Sequence, residues 1–314
     1  MNQTRTVPAV SGANLAPLLR LVLALTVVAL ALAPFWAGRA ELRLLMEVLS
    51  VLALAQMWNL LAGYSGLISI GQQAFVGLGG YLFFALAMFA GVPLLLALPL
   101  AAMATGLLAI PTGWIAFRLH GAYFAIGTWV LAEVFRLGAA QIGALGGGSG
   151  ISLPTGLVRS LADTREAREL VMYYLAFGIG LASVLMVWVL LRSRWGLALT
   201  AIRDSEAAAE AMGVATRQVK FAVYIVTATF TGLIGAFIFL QKIRITPDAA
   251  FSLNDWTAVV IFMPIIQSIG AVTRQLSTGS TFYPRVDLVN VFANWDINDS
   301  YKLDFAVENV FDKV

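Results

Sequence analysis

Residues 92–117 read VPLLLALPLAAMATGLLAIPTGWIAF, with no charged side chain anywhere in the run. A helix needs roughly 20 mostly apolar residues to cross the hydrocarbon core of a bilayer. No water is available there to satisfy peptide groups, so a spanning chain must satisfy its own, as a helix or as a closed barrel. The run is therefore predicted to be a transmembrane helix.

Working outward, the same test picks out 18–37, 44–62, 66–90, 121–142, 171–191 and 219–241, with a shorter apolar run at 256–270. The composition agrees: 60% of residues are hydrophobic and 12% charged, about half the charge of a soluble domain. The fold class expected is an all-α integral membrane protein, a polytopic helical bundle. The first run, Leu18 to Trp36, exceeds the roughly 7–15 residues of a signal-peptide core, so it is read as the first span. Glycines crowd 63–80, where small residues allow close helix packing and where a re-entrant or broken segment could fit.

Several function classes fall away. A net charge of +3 gives no support for a nucleic-acid partner. With no cysteine and a single histidine, thiol chemistry, disulfides and a His-based metal cage have no material. No cofactor is expected. No Gly-x-x-x-x-Gly-Lys-Ser/Thr pattern occurs, so the chain is not itself an ATPase. An intramembrane enzyme would need a nucleophile–base pair or paired acids within the spans, and Glu47 and Glu133 stand on separate runs.

Lys and Arg concentrate on cytoplasmic loops. Arg192, Arg194, Arg203, Arg217 and Lys220 cluster between the last two long runs, which predicts a cytoplasmic loop there. Counting backwards places Arg118, His120 and the N-terminus inside, and the Gly-rich loop 143–170 outside. Within that loop, Gly146–Gly150 could present backbone N–H groups to a carboxylate, or simply be flexible. Polar residues inside apolar runs are Asn59, Ser69, Gln72 and Gln73. They either hold helices together or line a substrate pathway. Glu133 is the ionisable residue nearest mid-span and is read either as a pathway residue or as a structural partner of a neighbouring helix.

In the cytoplasmic loop, 204–212 are strong helix formers. Asp204, Ser205 and Glu206 stand at the start and Gly213 at the end, which are capping signals. An ordinary surface helix or a peg for a docking partner would both fit.

This segment, Glu206-Ala207-Ala208-Ala209-Glu210-Ala211-Met212-Gly213, resembles the EAA loop of ABC importer permeases. The wider string Gly196–Lys220 resembles the branched-chain amino acid permease family of the LivM type more closely. Gly63–Tyr81 and Arg118–Ile126 resemble two further signatures of that family, and the likeness runs over about 40–270. The resemblance implies a permease subunit in the bacterial inner membrane, working with ABC ATPase subunits, a second, LivH-like permease subunit and a periplasmic substrate-binding protein. The cargo would be branched-chain amino acids, or urea and short amides, which the family also serves. It implies that the ATPase grips helix 204–213 through Asp204, Glu206, Ala207, Ala208, Glu210 and Gly213. Ser69, Gln72, Gln73 and Glu133 are the candidates for the pathway.

The tail reads differently. Beyond about 271 the chain turns polar, and Tyr301, Leu303, Phe305, Val307 and Phe311 then alternate with polar residues, the period of a half-buried strand. Val286–Asp296 reads as its partner across the turn signal Asn298-Asp299-Ser300, giving a β-hairpin. Val289–Lys313 resembles the closing strands of a TonB-dependent outer-membrane receptor. The organisation expected is a C-terminally truncated permease domain over 1–270 and an unrelated tail over 271–314, possible in a chimeric, non-functional reading frame. A whole-chain barrel is excluded by the helical runs of 18–270.

Overall fold

The computed structural model of the chain describes residues 15–162, 164–258, 291–298 and 301–307. It divides into two units, one comprising 1–39 and 267–314, the other 40–266.

In the first unit, α1 (Leu15–Ala31) is followed by the short α2 (Ala33–Trp36). The single span expected at 18–37 is thus interrupted. Pro34 has no N–H to give and its ring crowds the preceding turn, so it is accommodated only as the first turn of a new helix.

The second unit carries the membrane bundle. α3 (Arg39–Asn59) continues into a π-helical turn, Leu60–Tyr64. Then come α4 (Gln72–Met88), α5 (Leu94–Ala116) and α6 (Ala122–Gln141). Two 3-10 turns lead to β1 (Ile151–Ser152), α7 (Thr155–Arg159) and α8 (Arg165–Arg192). The loop helices α9 (Arg194–Asp204) and α10 (Glu206–Ala211) precede α11 (Thr216–Lys242), β2 (Arg244–Ile245), α12 (Pro247–Ala250) and a π-helical turn at Leu253–Ala258. Five of these segments are long and apolar enough to cross a membrane: 39–64, α5, α6, α8 and α11. The run expected at 66–90 is a correction. Its helix starts only at Gln72 and has 17 residues.

α11 is the axis of the bundle. In its most apolar window 72% of residues are buried, against 28% in α6 and in α8. α4 packs closely against it. A side chain on Gly79 would strike the backbone of Gly232, and one on Gly235 would strike the backbone of Val76. Glycine at these positions lets the two backbones meet, the usual basis of close helix association in lipid. α5 runs antiparallel on the other flank, with Thr105 against Gly232 and Gly113 against Phe221 and Tyr224. Tyr224 is buried between Phe75 and Phe117, with edge-to-face ring centroids at 5.5 Å and 5.6 Å. Outward, α6 exposes Val130, Val134 and Leu137, and α8 exposes Leu185, Trp188 and Val189. Such faces suit lipid or other subunits, not water.

β1 and β2 pair antiparallel, Ile151 opposite Ile245, and tie the loop after α6 to the end of α11. Near the C-terminus, β3 (Val291–Asn298) and β4 (Tyr301–Val307) pair antiparallel, Trp295 opposite Leu303 and Ala293 opposite Phe305. The N-terminal basic residue Arg5, most of the apolar run 256–270, the polar stretch 271–290 and residues 308–314 lie outside the described residues.

Candidate functional site

Between the π-helical turn and α4, residues 65–71 form no helix, and while Gly66 and Ile68 are exposed, Ser65, Ser69 and Gly71 are buried in the bundle. The level is set by Gln72, whose Nε2 donates to the Leu54 carbonyl and to the Thr231 hydroxyl, both at 3.3 Å. At 1.5 Å per residue, Thr231 lies about 22 Å from the start of α11 and about 16 Å from its end. Non-helical backbone at such depth is tolerated only where protein or a cavity satisfies it. Here protein does so. Trp58 Nε1 donates to the Ser69 carbonyl at 3.1 Å, and Leu67 N–H donates to the Leu61 carbonyl at 3.0 Å. Ile70 N–H donates to Thr128 Oγ1 at 3.3 Å, and Gly71 N–H donates to Ser69 Oγ at 3.2 Å.

A small cavity of about 10 Å³ lies beside this break, lined by Ser69, Gln72, Thr227 and Thr231 and by Met57, Leu61 and Phe75. That is room for about one water molecule. Gln72 is 6% exposed and its Oε1 has no hydrogen-bond partner. An orphaned acceptor at this depth costs about 1–3 kcal/mol, a cost that a ligand donating a hydrogen bond would relieve.

Of the sequence candidates, Ser69 and Gln72 are thus brought together. Gln73 faces another way: its N–H donates to Thr257 Oγ1 at 3.2 Å, and the same hydroxyl donates back to its Oε1. It fastens the 253–258 turn to the start of α4. Glu133 does not join the cluster. It lies on an exposed face of α6, ion-paired at 2.6 Å with Arg136, which reaches Asp248 of α12 at 2.6 Å. The Gly146–Gly150 turn spends the N–H groups of Gly146, Gly147 and Gly150 on carbonyls of its own neighbourhood. Thr128, Thr231 and Thr257 were not singled out in the sequence, because a threonine in an apolar run usually bonds its own helix backbone.

The loop between α8 and α11 holds two helices where the sequence suggested one. Ser193 caps α9 by accepting from Trp195 N–H at 3.2 Å. Asp204 ends α9 and does not begin the next helix. Ser205 breaks the chain with φ −163° and caps α10 by accepting from Ala208 N–H at 3.3 Å. Gly213 closes the turn at φ 86°, a conformation that favours glycine. Leu199, Ile202 and Ala209 face inward, while Glu206, Ala207, Ala208 and Met212 are exposed. α10 is fastened to the base of α11 by Glu206–Lys220 and by Thr216 Oγ1 donating to Glu210, each at 2.6 Å.

The family described as the permease component of the branched-chain amino acid transport system matches residues 40–272. The chain belongs to this family. Among permease relatives, the high-affinity branched-chain amino acid transport system permease protein LivM of Escherichia coli (strain K12) is 27% identical over 288 residues. LivM of Salmonella typhimurium (strain LT2) is 26% identical over the same length. Each comparison covers 84% of this chain and 66% of the relative, so the chain spans just under two thirds of the permeases it matches. No solved structure matches the chain. It is a multi-pass, all-α membrane permease.

Proposed function

We propose that the chain is the membrane-spanning subunit of an ATP-driven importer for branched-chain amino acids in a bacterial inner membrane. A separate ATPase subunit would push on the α9–α10 unit, and a second permease subunit would share the pathway. A periplasmic binding protein would deliver the cargo. The printed names of the LivM relatives support the substrate class.

The observation that carries the mechanism is the fastening of α10 to α11. Lys220 and Thr216 hold Glu206 and Glu210, so a push on α10 would pull on the base of the helix at the bundle's axis. That axis carries Thr231, which bonds Gln72 beside the helix break. Force applied at Ala207, Ala208 and Met212 would therefore arrive at the polar cluster by rigid-body movement. Asp204, Glu206, Glu210 and Gly213 shape the peg. Ser69 and Gln72 stand on the pathway, with Gln73 fixing its wall. The Lys/Arg bias that favours a cytosolic 192–220 loop also favours a cytoplasmic N-terminus.

The family match stops at 272, and β3 and β4 pair with each other, which supports a 271–314 tail foreign to the permease fold. Genomic sequencing across codons 265–280 tests that origin.

The decisive experiment measures leucine uptake with ATPase turnover in cells carrying Ala208→Trp. The expected result is intact assembly in the membrane and loss of uptake. Normal uptake with a tryptophan on the peg would overturn the coupling role.

A further inference from the structure

A groove of about 500 Å³ opens on the bundle surface between the end of α5 and the start of α11. Its walls are Trp114, Phe117, Phe221, Ala222 and Ile225, and Arg217 stands at one end.

The groove is graded along the axis of α11. On α11, Arg217, Phe221 and Ile225 recur every four residues and so share one face over about 12 Å of helix. Charge sits at the helix end and apolar side chains lie deeper. Arg118 lies in the turn just beyond α5, outside the groove's own lining, and its guanidinium stacks 3.9 Å from the ring centroid of Trp114. That stacking holds the charge beside the groove's aromatic wall. Among the described residues neither Arg118 nor Arg217 makes an ion pair, whereas Lys220, also near this end, is taken by Glu206.

We propose that this groove holds an anionic phospholipid of the leaflet facing the 192–220 loop. Its phosphate would lie between Arg217 and Arg118, and an acyl chain would run inward along Phe221 and Ile225. Guanidinium matches phosphate oxygens in pairs. Two unneutralised cations at the membrane edge, above an apolar channel, reproduce the phospholipid's own order of charge and hydrocarbon. A protein helix docking here would have no need of that order.

The test uses the purified full chain, stripped of lipid in detergent and offered equimolar phosphatidylglycerol and phosphatidylcholine, with retention read by native mass spectrometry. Phosphatidylglycerol should be retained about tenfold over phosphatidylcholine. Arg118→Ala with Arg217→Ala should abolish the preference, and the double lysine variant should keep most of it. Ala222→Trp should fill the groove and expel both lipids while elution and melting stay unchanged. Equal retention of the two lipids, or an unaltered preference in the double alanine variant, would overturn the proposal. So would displacement by millimolar inorganic phosphate, which would mark a simple anion site. Crosslinking of a photoreactive side chain at position 222 to a co-expressed second permease subunit would show the groove to be a protein interface instead.

Discussion

Gln72 donates from Nε2 to Thr231 across the middle of the bundle, 3.3 Å away, while its own carbonyl oxygen accepts nothing. The side chain is half satisfied, at the point where helix gives way to irregular backbone. A residue kept only to hold helices together would gain from using both ends.

Gln72→Leu is therefore expected to change stability by less than about 1 kcal/mol, since two long hydrogen bonds and one orphaned acceptor leave together. Melting in detergent should barely move, while the KM for leucine uptake should rise about fivefold with the lost hydrogen bond. An unchanged KM would remove Gln72 from the pathway.

Gly79→Leu should act through packing alone. The new side chain meets the Gly232 backbone, which cannot move aside as a rotamer can. Forcing α4 from α11 should cost about 1–3 kcal/mol, read as a lower melting temperature. The same substitution at Gly178, where nothing lies within 4 Å, should be silent.

The Glu206–Lys220 pair separates stability from coupling. The lysine side chain is 13% exposed and the glutamate 50%, so solvent screens the pair and its loss should cost no more than about 1 kcal/mol. Lys220→Glu should nevertheless uncouple ATP hydrolysis from uptake, and adding Glu206→Lys should restore much of the coupling. Failure of the double variant to recover, with both proteins assembled, would argue against an ionic strut.

Orientation can be read directly, because the chain has no cysteine to remove first. Ala207→Cys should react with an impermeant maleimide only after the cells are permeabilised. Labelling in intact cells would place α10 in the periplasm.

How much of this was legible in the sequence depended on what each signal measures. Hydropathy over a window found the bundle, because crossing lipid demands length and lack of charge and little else. Hydropathy alone could not find the break at 65–71, where Leu67, Ile68 and Ile70 keep the average high while the backbone hydrogen bonds leave the helix; only the glycines crowding 63–80 left room for a broken segment there. Capping chemistry located α10 through Ser205 and Gly213, which act within a few residues of themselves. The Arg136–Asp248 pair joins residues far apart in the chain, and no local pattern announces it. Glu133 stood out as an acid in an apolar run, yet its nearest cation was three positions away on the same helix.

The segment 65–71 draws its hydrogen bonds from more than one helix, Trp58 on one side and Thr128 on another. Sliding those helices apart would strip the peptide groups of their partners in a place where water cannot replace them. On the importer reading proposed above, a transport stroke would have to carry these neighbours as a single block or supply substitutes as it goes. The knot of borrowed bonds around Ser69 thus limits which motions the permease can make.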